Sequence, residues 1–183
     1  MEIYDSIRTG TQIWLDQNLK TTKYNDGTSI PEVTGGTNWD ALTTPAFCWY
    51  GNDESTYHTV LYNWFTVNTR KLCPDGWHVP TDADWTTLIT FHGGASIAGT
   101  KMREVGTAHW ISPNTGATNE YGFTALPGGF RDIDENFKNI YHHSYWWSST
   151  EVSATNAYRQ TIANYLDEIA NMSDSKKMGF SIR

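Results

Sequence analysis

The chain opens on apolar positions spaced for a hairpin. Ile3, Tyr4 and Ile7 precede Thr9-Gly10, and Ile13, Trp14, Leu15 and Leu19 follow it, which predicts a turn at Thr9-Gly10 and a partly buried second strand. Tyr24-Asn25-Asp26-Gly27-Thr28 carries an Asp-Gly turn signal. Residues 31–45 mix Pro, Gly, Thr and Asn around a single Trp and read as an ordered surface loop. Phe47-Cys48-Trp49-Tyr50 is short and strand-like, and Gly51 to Ser55 breaks it. Leu61 to Val67 is dense in rings and fits a buried helix or a strand, with Glu54 to His58 before it suggesting a helix start.

The firmest local pattern runs from Gly76-Trp77-His78-Val79-Pro80 into Thr81-Asp82-Ala83-Asp84-Trp85. Pro80 pushes Val79 towards extended geometry. Thr81 is placed to accept an amide hydrogen bond as N-cap, with Asp84 answering three residues on as the capping-box acid. Trp85, Leu88, Ile89 and His92 then recur at helical spacing until Gly93-Gly94 ends the run. Lys101 to Glu104 is too short to assign, and residues 112–122 form a turn-rich loop.

From Phe123 the chain reads as strands to its end. Phe123 to Leu126 leads through Pro127-Gly128-Gly129 to Phe130-Arg131, with a turn at Asp134-Glu135-Asn136. Tyr145 to Ser149, Tyr158 to Ile162, Tyr165 to Ile169 and the alternating Met178 to Arg183 complete the set. Strands, then helices, then a run of strands is an α+β pattern, and a length of 183 residues fits one domain spanning 1–183.

Composition narrows the function classes. Hydrophobic residues are only 38% of the chain but aromatics are 14%, so the core is expected to be built from a few large rings. A net charge of -7 with no basic run argues against nucleic acid as a partner. No stretch approaches the roughly 20 apolar residues of a membrane helix, and no signal peptide is read in Met1-Glu2-Ile3. Cys48 and Cys73 allow one disulfide or two free thiols, and neither belongs to a Cys-x-x-Cys pair.

Several separated motifs carry a family resemblance. They are Asn18 to Gly27, Leu72-Cys73-Pro74-Asp75-Gly76-Trp77-His78-Val79-Pro80-Thr81, Gly122-Phe123-Thr124-Ala125-Leu126-Pro127-Gly128-Gly129, Tyr145-Trp146-Trp147-Ser148-Ser149-Thr150-Glu151 and Gly179-Phe180-Ser181-Ile182-Arg183. Together they resemble the Fibrobacter succinogenes major paralogous domain almost end to end. The resemblance implies a C-type lectin-like fold, similar to the formylglycine-generating layout, with short helices packed on small twisted antiparallel sheets. It also implies an exported, lipid-anchored or phage-borne surface protein. A branch of that fold serves as the variable proteins of diversity-generating retroelements, and Tyr158 to Met178 lies where their variable stretch would fall. Family members often continue past the last motif with another cysteine. This chain stops at Arg183, which removes a bridge from Cys73 to such a residue. Formylglycine-generating enzymes depend on cysteines near the C-terminus, and none lies after Cys73.

The candidate chemistry is therefore weighed towards binding. No phosphate loop, His-Glu-x-x-His motif or nucleophile elbow occurs. The adjacent acids Asp167-Glu168 suit proton transfer on paper but read better as solvated surface. The expected cofactor is none, with calcium at Asp132-Ile133-Asp134-Glu135-Asn136 as the alternative to a plain hairpin turn. His142-His143 as a metal pair is disfavoured by strand alternation. Trp14, Trp77, Trp85, Trp146 and Trp147 lie in scaffold motifs and are expected in the core. The expected ligand-binding residues are Tyr158, Arg159, Gln160, Asn164, Tyr165 and Asp167, with Tyr141, His143 and Tyr145 bordering the same face. Tyr and Arg are the anchors that binding surfaces favour, and Tyr with Asn is typical of adaptable paratopes. The expected function is a non-enzymatic binding module for a protein or carbohydrate ligand on a cell or phage surface. The alternative is a structural or adhesive domain with no specific site.

Overall fold

The computed structural model describes residues 4–57 and 59–183. Ile3 of the first hairpin and His58 at the expected helix start lie outside the described residues. The rest of that hairpin forms as its pattern predicts, strand β1 (Ser6–Thr9) pairing antiparallel with β2 (Gln12–Leu15). The Asp-Gly turn closes at Gly27, where Lys23 bridges Ser29.

Residues 31–45 depart from the surface-loop reading. They contain helix α1 (Gly36–Asp40), and its Trp39 is fully buried. The reason is remote in sequence. The Trp39 indole donates to the Lys177 carbonyl at 2.7 Å, and the Arg131 guanidinium lies 4.3 Å over the ring. Strand β3 (Phe47–Trp49) follows, then a 3-10 turn at Tyr50–Asn52 and helix α2 (Glu54–Tyr57).

The ring-dense stretch is both of its alternatives in succession. Strand β4 (Val60–Tyr62) pairs with β3, and Asn63 then caps helix α3 (Trp64–Asn68) by accepting from the Thr66 amide at 3.1 Å. Helix α4 (Asp82–Phe91) carries the expected capping box. Thr81 Oγ1 accepts from the Asp84 amide at 3.2 Å, and Asp84 Oδ2 accepts from the Thr81 amide at 2.9 Å. Helix α5 (Ala95–Met102) follows, and of the unassigned Lys101 to Glu104 only Lys101 and Met102 belong to it, Arg103 forming an isolated bridge.

Phe123 to Leu126 is not a strand, its one isolated bridge running from Ala125 to Arg103, while Gly128-Gly129 belongs to the strand that follows. Strand β5 (Gly128–Arg131) pairs with β6 (Phe137–Ile140) around the expected turn. Strands β7 (His143–Glu151), β8 (Asn156–Ala163) and β9 (Ile169–Ser175) make the largest sheet, antiparallel in the order β7-β8-β9. Asn164-Tyr165 is the turn that leaves β8, and of the expected strand Tyr165 to Ile169 only Ile169 is in β9. The C-terminal segment runs along the far edge of β7 as isolated bridges, Trp146 to Ser181 among them.

The architecture is thus α+β, five short helices on four small antiparallel sheets among the described residues. No helix there is long and apolar enough to cross a membrane. Two aromatic clusters sandwich the large sheet. Trp14, Trp85, Leu88, Phe123, Trp146 and Ile162 pack on the side of α4 and α5, and Phe47, Tyr62, Trp64, Tyr145, Trp147 and Phe180 on the other. Cys48 and Cys73 are free buried thiols in separate clusters, so the two-thiol alternative holds.

Candidate functional site

Strand alternation and register sort the side chains of the β7-β8-β9 sheet into two faces. Trp146 pairs with Gln160 and Gln160 with Asn171, which puts these three on the inner face against α4. Tyr145 pairs with Thr161, Trp147 with Arg159, and Arg159 with Met172, and these share the outer face. Phe180 covers that face over its β7 half, its ring 5.4 Å from Tyr145 and stacked on it. Towards β9 the face is open.

The open part is organised on Arg159. Its guanidinium lies 5.0 Å over Tyr145 and 5.6 Å over Phe180, and its Nε donates to Asp174 Oδ2 at 2.5 Å. An Nη2 contact to Met172 Sδ at 3.6 Å uses a further donor, while Nη1 is buried with no partner among the described residues. Around it stand rings. His143 stacks on Tyr145 at 5.6 Å and meets Tyr165 edge-on at 5.7 Å. The Tyr145 hydroxyl accepts from Asn139 at 2.8 Å. Tyr165 and Met172 are 59% and 50% exposed.

Charge on this face is muted. Burial lowers the His143 pKa, with the positive charges of His142 and Arg159 adding to it, so the ring is neutral at pH 7. Burial raises the Tyr145 pKa and keeps its hydroxyl protonated. Apart from Ser175, whose carbonyl accepts from the Met178 amide, the outer edge of β9 has no backbone partner among the described residues, and no cavity of the four between 330 and 440 Å³ opens onto the face. It is ring-rich and weakly charged.

Of the nine residues expected at a ligand surface, the structure brings four together: His143, Tyr145, Arg159 and Tyr165. The other five are elsewhere. Tyr158 alternates to the inner face. Gln160 is fully buried there, with Nε2 3.5 Å from Asp82 Oδ1. Asn164 is buried and donates to the Ile111 carbonyl at 3.1 Å. Asp167 lies against α5, its carbonyl accepting from the Thr100 amide. Tyr141, 6.5 Å from Tyr57, lines a separate cleft of about 440 Å³ with Gln17, Thr56 and Tyr57. Register decides these positions, and register is not visible in a single strand's sequence.

At the loop considered for calcium, both aspartates have a cationic side chain beside them. Lys138 Nζ sits 2.5 Å from Asp132 and 3.5 Å from Asp134, and the other Asp134 oxygen accepts from the Asn136 amide in the turn. Among the described residues no three His, Cys, Asp or Glu side chains converge. His142 is exposed in the turn before β7 and His143 is half-buried on it, so the two do not form a pair.

Trp77 is the main residue that sequence reasoning misplaced. Trp14, Trp85, Trp146 and Trp147 are in the core as expected, but Trp77 is 36% exposed and borders two clefts. The available signal was Asp75-Gly76, a turn that lifts the following ring out of any buried stripe.

Neither the search of curated proteins nor that of solved structures returns a match. The family comparison does: the chain belongs to the Fibrobacter succinogenes major domain family, whose model matches residues 7–183.

Proposed function

We propose that this chain is a non-enzymatic binding domain of a bacterial surface or phage protein, and that it engages a protein partner through the open outer face of its C-terminal sheet. The observation that carries the reading is the pairing of exposed Tyr165 and Met172 with a ring-stacked, fixed Arg159. Rigid tyrosine and adaptable methionine around an arginine match the composition of interface cores. A face onto which none of the four clefts of 330–440 Å³ opens suits a macromolecule better than a small molecule.

The non-enzymatic part rests on the groups available. His143 and the protonated Tyr145 are engaged with Tyr165 and Asn139. Burial pushes the thiols of Cys48 and Cys73 up to about 11 and 12, far from a reactive thiolate. Met172 and Ser173 are exposed on β9 and outside the core clusters, their side chains held to other elements by no more than the weak sulfur contact of Met172 to Arg159 among the described residues, so they can vary without disturbing the scaffold. That is the physical requirement of a diversified receptor. A neighbouring reverse transcriptase gene with adenine-restricted differences between two copies of the coding sequence's end is its genetic sign.

A photo-crosslinking amino acid at position 165 or 172, compared with one at Thr86 on the exposed side of α4, tests the reading in native cells. Adducts confined to 165 and 172 are expected. Adducts at 86 of equal yield, or none at either face position, favour a structural or adhesive domain without a specific site.

A further inference from the structure

We propose that the Trp77-His78 ridge is a second site, which binds an extended polysaccharide chain of equatorially substituted pyranose units across the Trp77 indole. Seven of the nine tryptophans are at most 5% exposed. Trp77 is not. Among the described residues its ring stacks on no other aromatic ring and its indole N–H donates to nothing, whereas Trp14, Trp39, Trp64, Trp110, Trp146 and Trp147 each donate to a fixed acceptor. An exposed, unspent indole is a costly thing for a stable scaffold to keep.

Its position gives it a use. Trp77 and His78 line a cleft of about 400 Å³ with Gln12, Ile13 and Asp84, and also one of about 330 Å³ with Asn68 and Arg70. The ring therefore stands as a ridge between two grooves, each within the range of small-molecule sites, about 300–1,000 Å³. A ligand lying on the ring reaches both, so it is longer than a single ring.

The ridge is also rigid. The Trp77 amide donates to the Pro74 carbonyl at 3.0 Å, closing a turn whose Gly76 has φ +86°. A Cβ on Gly76 would meet nothing within 4 Å, so the approach beside the ring is open. His78 is held by Asp84 Oδ2 at 3.2 Å, and that same oxygen anchors the α4 cap. The other Asp84 oxygen has no hydrogen bond among the described residues, and Asp84 is one of the residues lining the first groove.

The polar groups decide the ligand class. The grooves mix amides, a carboxylate, an imidazole and two guanidiniums, with Asp84 and the buried Arg183 in one and Arg70 in the other. Asp84 and Arg183 offset each other in the first groove, and the mixture of donors and acceptors favours a neutral polar ligand over an anionic one. Hydroxyl groups both donate and accept, and so use such a mixture fully. Equatorial substitution leaves the axial C–H bonds on a flat apolar face, whose slightly positive hydrogens meet the negative face of the indole.

Native gels cast with hydroxyethylcellulose, xylan or glucomannan test this. The expected result is slowed migration of the wild-type chain in at least one, with Trp77→Ala binding about tenfold or more weakly, the loss that removing a tryptophan anchor brings. Trp77→Phe, which keeps a ring, is expected to be slowed to an intermediate degree and so controls for folding. Tyr165→Ala, on the outer sheet face, is expected to migrate as wild type does. No slowing in any of the three gels, slowing that survives Trp77→Ala, or slowing abolished by Tyr165→Ala overturns the inference without touching the outer-face reading.

Discussion

The two faces of the β7-β8-β9 sheet are made from the same three strands but from opposite solutions to one problem. On the inner face Trp146 lies 5.7 Å from Trp85, which lies 4.9 Å from Trp14, and Gln160 and Asn171 spend their amides on Asp82 at the start of α4. On the outer face Arg159 is stacked and paired, yet Nη1 has no partner and the flanking Tyr165 and Met172 face solvent. The inner face is sealed by the protein itself, even though Trp85 Nε1 and Gln160 Oε1 have no partner among the described residues. The outer face is held in place by the protein and left open. A binding surface needs rigidity together with exposure, and only the outer face has both.

The largest expected effect breaks the inner face. Trp85→Ala removes a fully buried indole from the Trp14, Phe123 and Trp146 cluster and is expected to cost about 3–5 kcal/mol in a denaturant titration. A loss under about 1 kcal/mol would mean that α4 is not what organises this side.

How much of this was readable beforehand depends on how local the cause is. The α4 cap was legible because Thr81 and Asp84 act three residues apart, and the Trp85, Leu88, His92 stripe because helical spacing is a short-range rule. Strands β7 and β8 of the C-terminal sheet were legible as elements for the same reason, whereas the pattern places β9 too early, at Tyr165 to Ile169. Which face each residue occupies was not. Gln160 and Arg159 are neighbours in sequence, and only pairing with Trp146 and Trp147 sends one inward and the other outward. Trp39 was unreadable because its partners, Arg131 and Lys177, lie far along the chain. Trp77 was misread because its motif groups it with the scaffold tryptophans, although the Asp75-Gly76 turn before it already argues against a buried stripe.

A pair of histidines sharpens the comparison through pH. His92, at the C-terminal end of α4, is fully buried among Phe91, Tyr121 and Phe123, with neither ring nitrogen hydrogen-bonded among the described residues. Burial pushes its pKa down to about 4, with the charge of Lys101 adding to the drop and Glu120 opposing it. In the unfolded chain histidine titrates near 6.5, so as the pH falls the unfolded state takes up the proton first. This group's contribution is whole above about pH 6.5 and is lost between about 6.5 and 4, by about 3 kcal/mol in total. His143 on the outer face is also lowered and acts in the same direction. Asp26, held at about 2 by hydrogen bonds from Thr28, acts only below its ordinary carboxylate range. His92→Phe is therefore expected to flatten most of the stability slope between about pH 6.5 and 4, and His143→Phe less of it. Equal effects would erase the distinction between a sealed face and an open one.

The smallest expected effect is the most telling for function. Tyr165 touches the protein through an edge contact to His143 and a 3.5 Å approach of its hydroxyl to His143 Nε2. Met172 adds one weak sulfur contact to Arg159, whose main bond is to Asp174. Neither residue fills a core cluster. Replacing both with alanine is thus expected to shift unfolding by no more than about 0.5 kcal/mol, the range of surface changes away from special features. Such a result leaves two large apolar side chains exposed on a rigid sheet without a structural job, which is the condition under which a partner explains them. A loss above about 1 kcal/mol would instead make them packing residues, and the outer face would then be a second scaffold face with no surplus to offer a ligand.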